Sequence, residues 1–152
     1  MRIRAAQADE HALLSQIAHR AKAHWGYAPA ELAAWQHDLT VTRQSVLDRT
    51  TVVAVVNDAV AGFFQQHVEG GLALLDHLWV LPSFMHRGIG AALLARARQD
   101  ARAAGAGEIQ IDADPHAEAF YIAQGAARVG QVSAPIDGQP QRVRPQLRLP
   151  VS

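Results

Sequence analysis

A mixed α/β fold, built on hairpins and not on a regular βαβ repeat, is what this sequence predicts, and three observations carry the expectation. Two β-branched runs, residues 51–56 and 59–64, meet at Asn57-Asp58, a two-residue turn signal that joins them as a hairpin. An apolar run ending at Val80-Leu81-Pro82 passes through a short loop to Gly88 and Gly90, which open an alanine-rich helix. Beyond that helix the signals read strand, helix, strand, strand, so the order as a whole is β, helices, β-β-β, helix, β, helix, β-β. At 152 residues the chain is long enough to bury a core without cross-links, and one domain over residues 1–152 is expected.

The elements follow in order. Residues 3–6 read as a short first strand, and Asp9 is placed to cap a helix in which Leu13, Leu14, Ile17, Ala18 and Ala21 recur at helical spacing. That helix should end near Trp25-Gly26. Pro29 suits the first turn of a second helix over residues 30–35, and Thr42 caps a third short turn into Val46-Leu47. After the hairpin, Gly70-Gly71 turns the chain into a strand over residues 72–81. The glycine-opened helix runs to about Ala104 and stops at Gly105, where a left-handed residue is needed to end it. Residues 108–112 form the next strand, which must lie beside an earlier one. Pro115 opens a helix that Gly125 closes, and residues 128–132 and 143–149 are final strands around a turn at Asp137-Gly138. Pro145 confines the last strand to an edge or a bulge, because it has no N–H for a ladder.

Composition narrows the function classes. The chain has no cysteine, so a disulfide framework, a thiolate metal site and a catalytic thiol are all excluded. Basic and acidic side chains balance at 14 each, which leaves no field of one sign to attract nucleic acid or an anionic membrane. No apolar run approaches the ~20 residues of a membrane span, and the N-terminal residues lack the apolar core of a signal peptide. A soluble, cytoplasmic protein is expected. Its 8 histidines include no tight triad with carboxylates at metal-ligand spacing, and no metal is expected.

The loop Met85-His86-Arg87-Gly88-Ile89-Gly90 carries the chemistry. Glycines hold no side chain against a ligand, so the first free N–H groups of the helix, from Gly88 through Ala91, can face phosphate oxygens, with the helix dipole and Arg87 adding positive potential. A glycine before a helix also serves plain turn geometry. A second block, residues 112–125, tips the balance toward a ligand: Asp112-Ala113-Asp114-Pro115-His116-Ala117-Glu118-Ala119-Phe120-Tyr121-Ile122-Ala123-Gln124-Gly125.

Together the two blocks resemble the GNAT superfamily of acyl-CoA-dependent N-acyltransferases. Its pyrophosphate loop reads Gln/Arg-x-x-Gly-x-Gly/Ala, and its later helix reads Asn-x-x-Ala-x-x-Phe/Leu-Tyr followed by Gly. Two departures stand out: Met85 fills the usual Gln or Arg slot, with Arg87 or His86 as substitutes, and Asp114 fills the usual Asn slot. The resemblance covers residues 51–130 well. It implies a mostly antiparallel central sheet of six to seven strands flanked by helices on both faces, acetyl-CoA as cosubstrate, a small-molecule or peptide amine as acceptor, and room for a homodimer.

The resemblance also implies roles. The strand before the glycine loop and the strand after its helix would splay apart to admit acyl-CoA, with the backbone of Leu78, Trp79 and Val80 along the pantetheine arm and an N–H there facing the thioester oxygen. His86 to Ala91, Asp114, His116, Phe120 and Tyr121 complete the cofactor set. Tyr121 would give a hydrogen bond or proton to the departing sulfur; from a phenol near pKa ~10 to a thiolate near ~8.5, full transfer is uphill by roughly 2 kcal/mol. The other reading of Phe120-Tyr121 is a helix packed on the sheet. Asp76 and His77 are the candidate bases, on opposite faces by strand alternation; His77 is nearer in pKa to the task, and Asp76 would orient it or hold a cationic substrate. His24, Trp25 and Tyr27 fall where the family shapes its acceptor pocket, either enclosing an amine or plugging the core.

Three functions compete on these residues. The first is N-acetyl transfer by direct attack of the amine on the thioester. The second is an idle acyl-CoA sensor of the same fold. The third, a dinucleotide enzyme, fails because the third glycine of its fingerprint would fall at Leu93 and the preceding strands are hairpins.

Overall fold

The computed structural model describes residues 1–152. Its strands are β1 (Arg2–Ala5), β2 (Thr50–Val56), β3 (Ala59–Glu69), β4 (Leu72–Val80), β5 (Glu108–Asp112), β6 (Ala127–Ser133) and β7 (Val143–Pro150). They form a 7-stranded sheet in the order β1-β2-β3-β4-β5-β7-β6. Strands β4 and β5 run parallel, whereas β1–β2, β2–β3, β5–β7 and β6–β7 run antiparallel. The helices are α1 (His11–Ala23), α2 (Pro29–Ala34), α3 (Arg43–Asp48), α4 (Ile89–Ala103) and α5 (Glu118–Ala123). A mixed, mostly antiparallel α/β fold is therefore found, as the sequence predicts. The chain divides into two compact units, Met1–His67 with Asp76–Ala97, and Val68–Leu75 with Arg98–Ser152.

In the first unit, the apolar face of α1 (Leu14, Ile17, Ala18) meets Val46 of α3, Val53 and Val55 of β2 and Phe63 of β3 in one buried cluster. Residues of opposite parity on a strand face opposite ways. Accordingly Gln66 turns from that cluster and donates from Nε2 to the carbonyl of Ala97 on α4, at 3.0 Å. Helices thus cover both faces of β3. Gln65, on the Phe63 side, donates to Ser45 Oγ and Thr51 Oγ1, at 3.1 Å each, which ties α3 to β2 and β3. The hairpin turn holds Asn57 at φ 50 and Asp58 at φ 63, the left-handed pair that a tight two-residue turn requires.

Helix starts follow capping chemistry, with one correction. Thr42 caps α3 as expected, accepting from the Ser45 N–H at 3.0 Å while Ser45 Oγ accepts from the Thr42 N–H at 3.1 Å. Asp9 does not cap α1. A 3-10 turn, Ala8–Glu10, precedes that helix, and Glu10 reaches back to the Gln7 N–H at 2.8 Å while pairing with Arg4 at 2.8 Å.

In the second unit, β4 and β5 pair from Leu72 with Glu108 to Leu75 with Ile111. Ile109 faces Leu149 and Ile111 faces Leu147, four fully buried side chains that form the centre of this unit. Pro145 is not on an edge strand, since β7 lies between β5 and β6 and β6 is the edge, but the β6–β7 pairing is irregular next to it, between Arg128 and Gly130 opposite Leu147 and Gln146. The proline is tolerated because of where its nitrogen points. Its carbonyl accepts from the Ala113 N–H at 3.0 Å, one residue past Asp112, the last β5 partner in the ladder. The nitrogen shares that side, so the one bond the ladder lacks is the return bond to the Ala113 carbonyl, at its last rung, and no bond inside the β5–β7 pairing is lost.

Candidate active site

The first unit contains a strand, a turn and a helix that expose backbone donors. After β4, the Leu81 N–H donates to Ala61 O at 2.8 Å, and a 3-10 turn over Pro82–Phe84 leads to His86 at φ 63 and Gly88 at φ 77. Two left-handed residues in so short a loop bend the chain until α4 begins. Its first i to i−4 bond runs from Ala92 N to Gly88 O at 3.0 Å, so the N–H groups of Ile89, Gly90 and Ala91 have no partner within the helix. A Cβ built on Gly88 meets nothing within 4 Å. Open space, unpaired donors and the positive end of a 15-residue helix coincide, which is the chemistry of an anion cradle. Buried Ile89 and Leu93 anchor the helix beneath it. The Arg87 guanidinium lies over the Phe84 ring, 5.3 Å from its centroid, which keeps a cation beside these donors where Met85 supplies none.

On β4 the two candidate bases have different partners. Asp76 gives one oxygen to Arg49 Nη1 and the other to His67 Nδ1, both at 2.8 Å. It does not orient His77, since both of its oxygens are turned to these groups. His77 lies against Phe63, ring centroids 5.7 Å apart, and its Nδ1 accepts from Trp79 Nε1 at 3.0 Å. Burial pushes the imidazole down to about 4; Asp76 and Asp38 oppose the shift and Arg49 adds to it.

The connection between α1 and α2 gathers aromatics around a lysine. Tyr27 is buried and meets Trp35 edge to face at 4.8 Å, and the Lys22 ammonium lies 4.6 Å from the Trp35 centroid and 5.0 Å from that of Tyr27. Trp25 is half-buried with exposed His24 against it at 5.1 Å. Sequence reading passes over Lys22 and Trp35, although Lys22 is the only lysine and its spacing to two aromatics is visible in the chain. It also passes over Arg49 and His67, which are far from Asp76 in sequence.

In the second unit, Tyr121 is buried on α5 with Phe120 edge-on at 5.1 Å. Burial pushes its phenol well above the usual tyrosine range, and the Asp114 carboxylate adds to the shift. Asp114 caps the turn ahead of α5, accepting from the His116 N–H at 2.8 Å; it also meets His116 Nδ1 at 2.9 Å and Arg142 at 3.8 Å. Its carboxylate thus works within the protein. No group of three or more His, Asp or Glu side chains is arranged to hold a metal ion, and no helix is long and apolar enough to cross a membrane.

Comparison with known proteins adds the family. The family described as an acetyltransferase (GNAT) domain matches residues 11–134. No curated protein matches the chain. Among solved structures, the PaiA N-acetyltransferase of Thermoplasma acidophilum, solved with coenzyme A, is 16% identical with a TM-score of 0.77 over 98% of each chain. A GCN5-related N-acetyltransferase of Rhodopseudomonas palustris is 19% identical with a TM-score of 0.80, covering 98% of this chain and 94% of its own. A putative acetyltransferase of Salmonella typhimurium, solved with acetyl-CoA, is 20% identical with a TM-score of 0.72, covering 100% and 94%.

Proposed function

We propose that this chain, which belongs to the GNAT acetyltransferase family, moves the acetyl group of acetyl-CoA onto a primary amine of a small molecule or peptide. The amine nitrogen attacks the thioester carbonyl directly; the new C–N bond replaces the C–S bond, the amine loses a proton, and coenzyme A leaves as thiolate or thiol. The observation that carries the reading is the left-handed turn at His86 and Gly88 ahead of α4, with unpaired N–H groups and open space before them. A pyrophosphate suits that cradle in charge and in its need for several donors. The reading treats residues 1–152 as one acetyltransferase domain.

In this proposal the backbone of Leu78, Trp79 and Val80 lies along the pantetheine arm, and His86 to Ala91 hold the pyrophosphate, with Arg87 adding charge. Phe120 and Tyr121 face the thiol end. Asp114 and His116 act indirectly, by fixing the start of the helix that carries Tyr121. His24, Trp25 and Tyr27 border the acceptor, Tyr27 through its support of Trp35 and Lys22.

Calorimetry with acetyl-CoA, followed by thiol release over a panel of amines, tests the reading. Binding together with amine-dependent release supports it; binding with no release above hydrolysis replaces it with an acyl-CoA sensor. Gly90→Val, which puts a β-branched side chain into the first turn of α4, should weaken acetyl-CoA binding at least about tenfold, a loss near 1.4 kcal/mol. Unchanged affinity would remove the glycine loop from the site.

A further inference from the structure

We propose that His77 is a fixed hydrogen-bond donor, not a base, and that it selects amine acceptors carrying a neutral oxygen, a hydroxyl or an amide carbonyl, beside the amine. An indole N–H can only donate, so the 3.0 Å contact from Trp79 Nε1 makes His77 Nδ1 an acceptor. A neutral imidazole has one acceptor nitrogen and one N–H. With Nδ1 occupied as acceptor, the proton must sit on Nε2. Nε2 then offers an N–H and has no lone pair with which to take a proton from an amine. The indole fixes this tautomer, and Phe63, with ring centroids 5.7 Å apart, packs against the imidazole. Within the chain the imidazole makes no other hydrogen bond, so this N–H is unclaimed.

The surroundings decide what the donor can meet. The charged groups around the ring are Asp76 on its own strand, Arg49 between α3 and β2, and Asp38 between α2 and α3. Two carboxylates against one guanidinium disfavour an anionic partner, and the low polarity that keeps the imidazole uncharged penalises a carboxylate in the same way. A neutral oxygen accepts from Nε2 without that penalty. Amino alcohols, amino sugars and aminoacyl amides share this chemistry; bare alkylamines lack it.

This inference rests on the acetyl-transfer reading, and its test separates the two. Matched acceptors with and without the oxygen (ethanolamine against propylamine, glycinamide against the same alkylamine) are compared at saturating acetyl-CoA by kcat/KM per neutral amine, each value divided by the fraction of that amine unprotonated at the assay pH, which removes the effect of the oxygen on basicity. The oxygen-bearing member should be preferred about tenfold, the worth of one hydrogen bond in a dry site. His77→Phe should abolish the preference while leaving acetyl-CoA affinity unchanged, and His77→Gln, which restores an N–H near the Nε2 position, should recover part of it. The two pairs distinguish hydroxyl from carbonyl as the partner. Long-range nitrogen–proton NMR correlation reads the tautomer without any turnover and should find Nδ1 bare and Nε2 protonated. A proton on Nδ1, no preference in the native enzyme, or an acidic limb of kcat/KM that vanishes in His77→Phe would each overturn the proposal. Turnover without preference sinks this inference alone; no turnover with any amine sinks the acetyl-transfer reading as well.

Discussion

Gly62→Ala should destabilise the protein although alanine is the mildest of side-chain additions. Gly62 lies on β3, and a Cβ built there falls 2.6 Å from the Trp79 carbonyl oxygen and 3.2 Å from Val80 Cα and Cγ2. Two of those three atoms are backbone, so no rotamer change relieves the clash. Reaching an ordinary contact of about 3.4 Å from the oxygen requires about 0.8 Å of strand separation. The neighbouring Leu81 N–H to Ala61 O bond, 2.8 Å long, resists that movement and concentrates it at Trp79 and Val80. Overpacking of this kind costs roughly 1–3 kcal/mol. For a chain of this size that is a fall in Tm of roughly 2–10 °C, read by circular dichroism. The displaced backbone is the segment proposed to lie along pantetheine, so calorimetry should record weaker acetyl-CoA binding in the folded variant at low temperature. An unchanged Tm would refute the steric reasoning; a lowered Tm with native affinity would keep the clash and remove Trp79 and Val80 from the binding edge.

Other outcomes follow from the same structure. His77 titrates near 4 in the fold against an ordinary 6.5, so below 6.5 the unfolded chain binds a proton that the folded chain does not. Its contribution, on the order of 3 kcal/mol, is complete above pH 6.5 and is lost as pH falls toward 4; urea unfolding at pH 7.5, 5.5 and 4.5 should give a shallower acid loss in His77→Gln than in the native chain. At Gly88, φ 77 with open space around it means that alanine is strained and not crowded. Gly88→Ala should cost about 1–2 kcal/mol in denaturant melts and Gly88→Asn less, since asparagine visits the left-handed region more readily. Thr42→Ala removes the 3.0 Å cap of α3 and should cost about 1 kcal/mol, with native stability as the contrary result. Tyr121→Phe should lower turnover more than it weakens coenzyme A binding; equal kcat at saturating amine would take the phenol out of the mechanism.

Much of the fold was legible because local signals and tertiary demand agree. Asn57-Asp58, Thr42, Pro29 and Gly105 each specify a backbone geometry that the final structure uses. Pro145 misled as to the edge, because its rule concerns a missing donor and strand order alone does not say where a ladder ends; the irregularity that the rule also allows is present beside it, between Arg128 and Gly130. Asp9 lost to Glu10 because the capping box gains a second bond from Arg4, a partner invisible to a rule about one cap residue. The glycine loop was legible for the same reason as the turns: glycine and helix onset are local. Most partners of Asp76 and His77 were not, since Arg49, His67 and Phe63 reach them only through the tertiary fold, whereas Trp79 lies two residues from His77 on the same face of β4; a carboxylate next to a histidine in sequence suggests an alliance that the sheet does not make.

That convergence bears on how an amine would lose its proton. Asp76 has both oxygens engaged by Arg49 and His67, His77 has its acceptor nitrogen engaged by Trp79, and burial holds the Tyr121 phenol protonated at every ordinary pH. Each group singled out as a base or acid is thus either occupied or a donor. Raising the phenol also widens its gap to a departing thiolate, so Tyr121 suits a hydrogen bond to sulfur better than delivery of a proton to it. None of these three is a free base, so on the acetyl-transfer reading the basicity of the acceptor amine itself weighs on the rate. A lysine-like amine near ~10.4 costs roughly 4–5 kcal/mol to deprotonate at pH 7, an α-amine near ~7.8 about 1 kcal/mol. On the acetyl-transfer reading, the same residues that fix His77 as a donor favour weakly basic amines, and electron-withdrawing oxygen beside the amine both lowers its pKa and supplies the atom that the His77 N–H would bind.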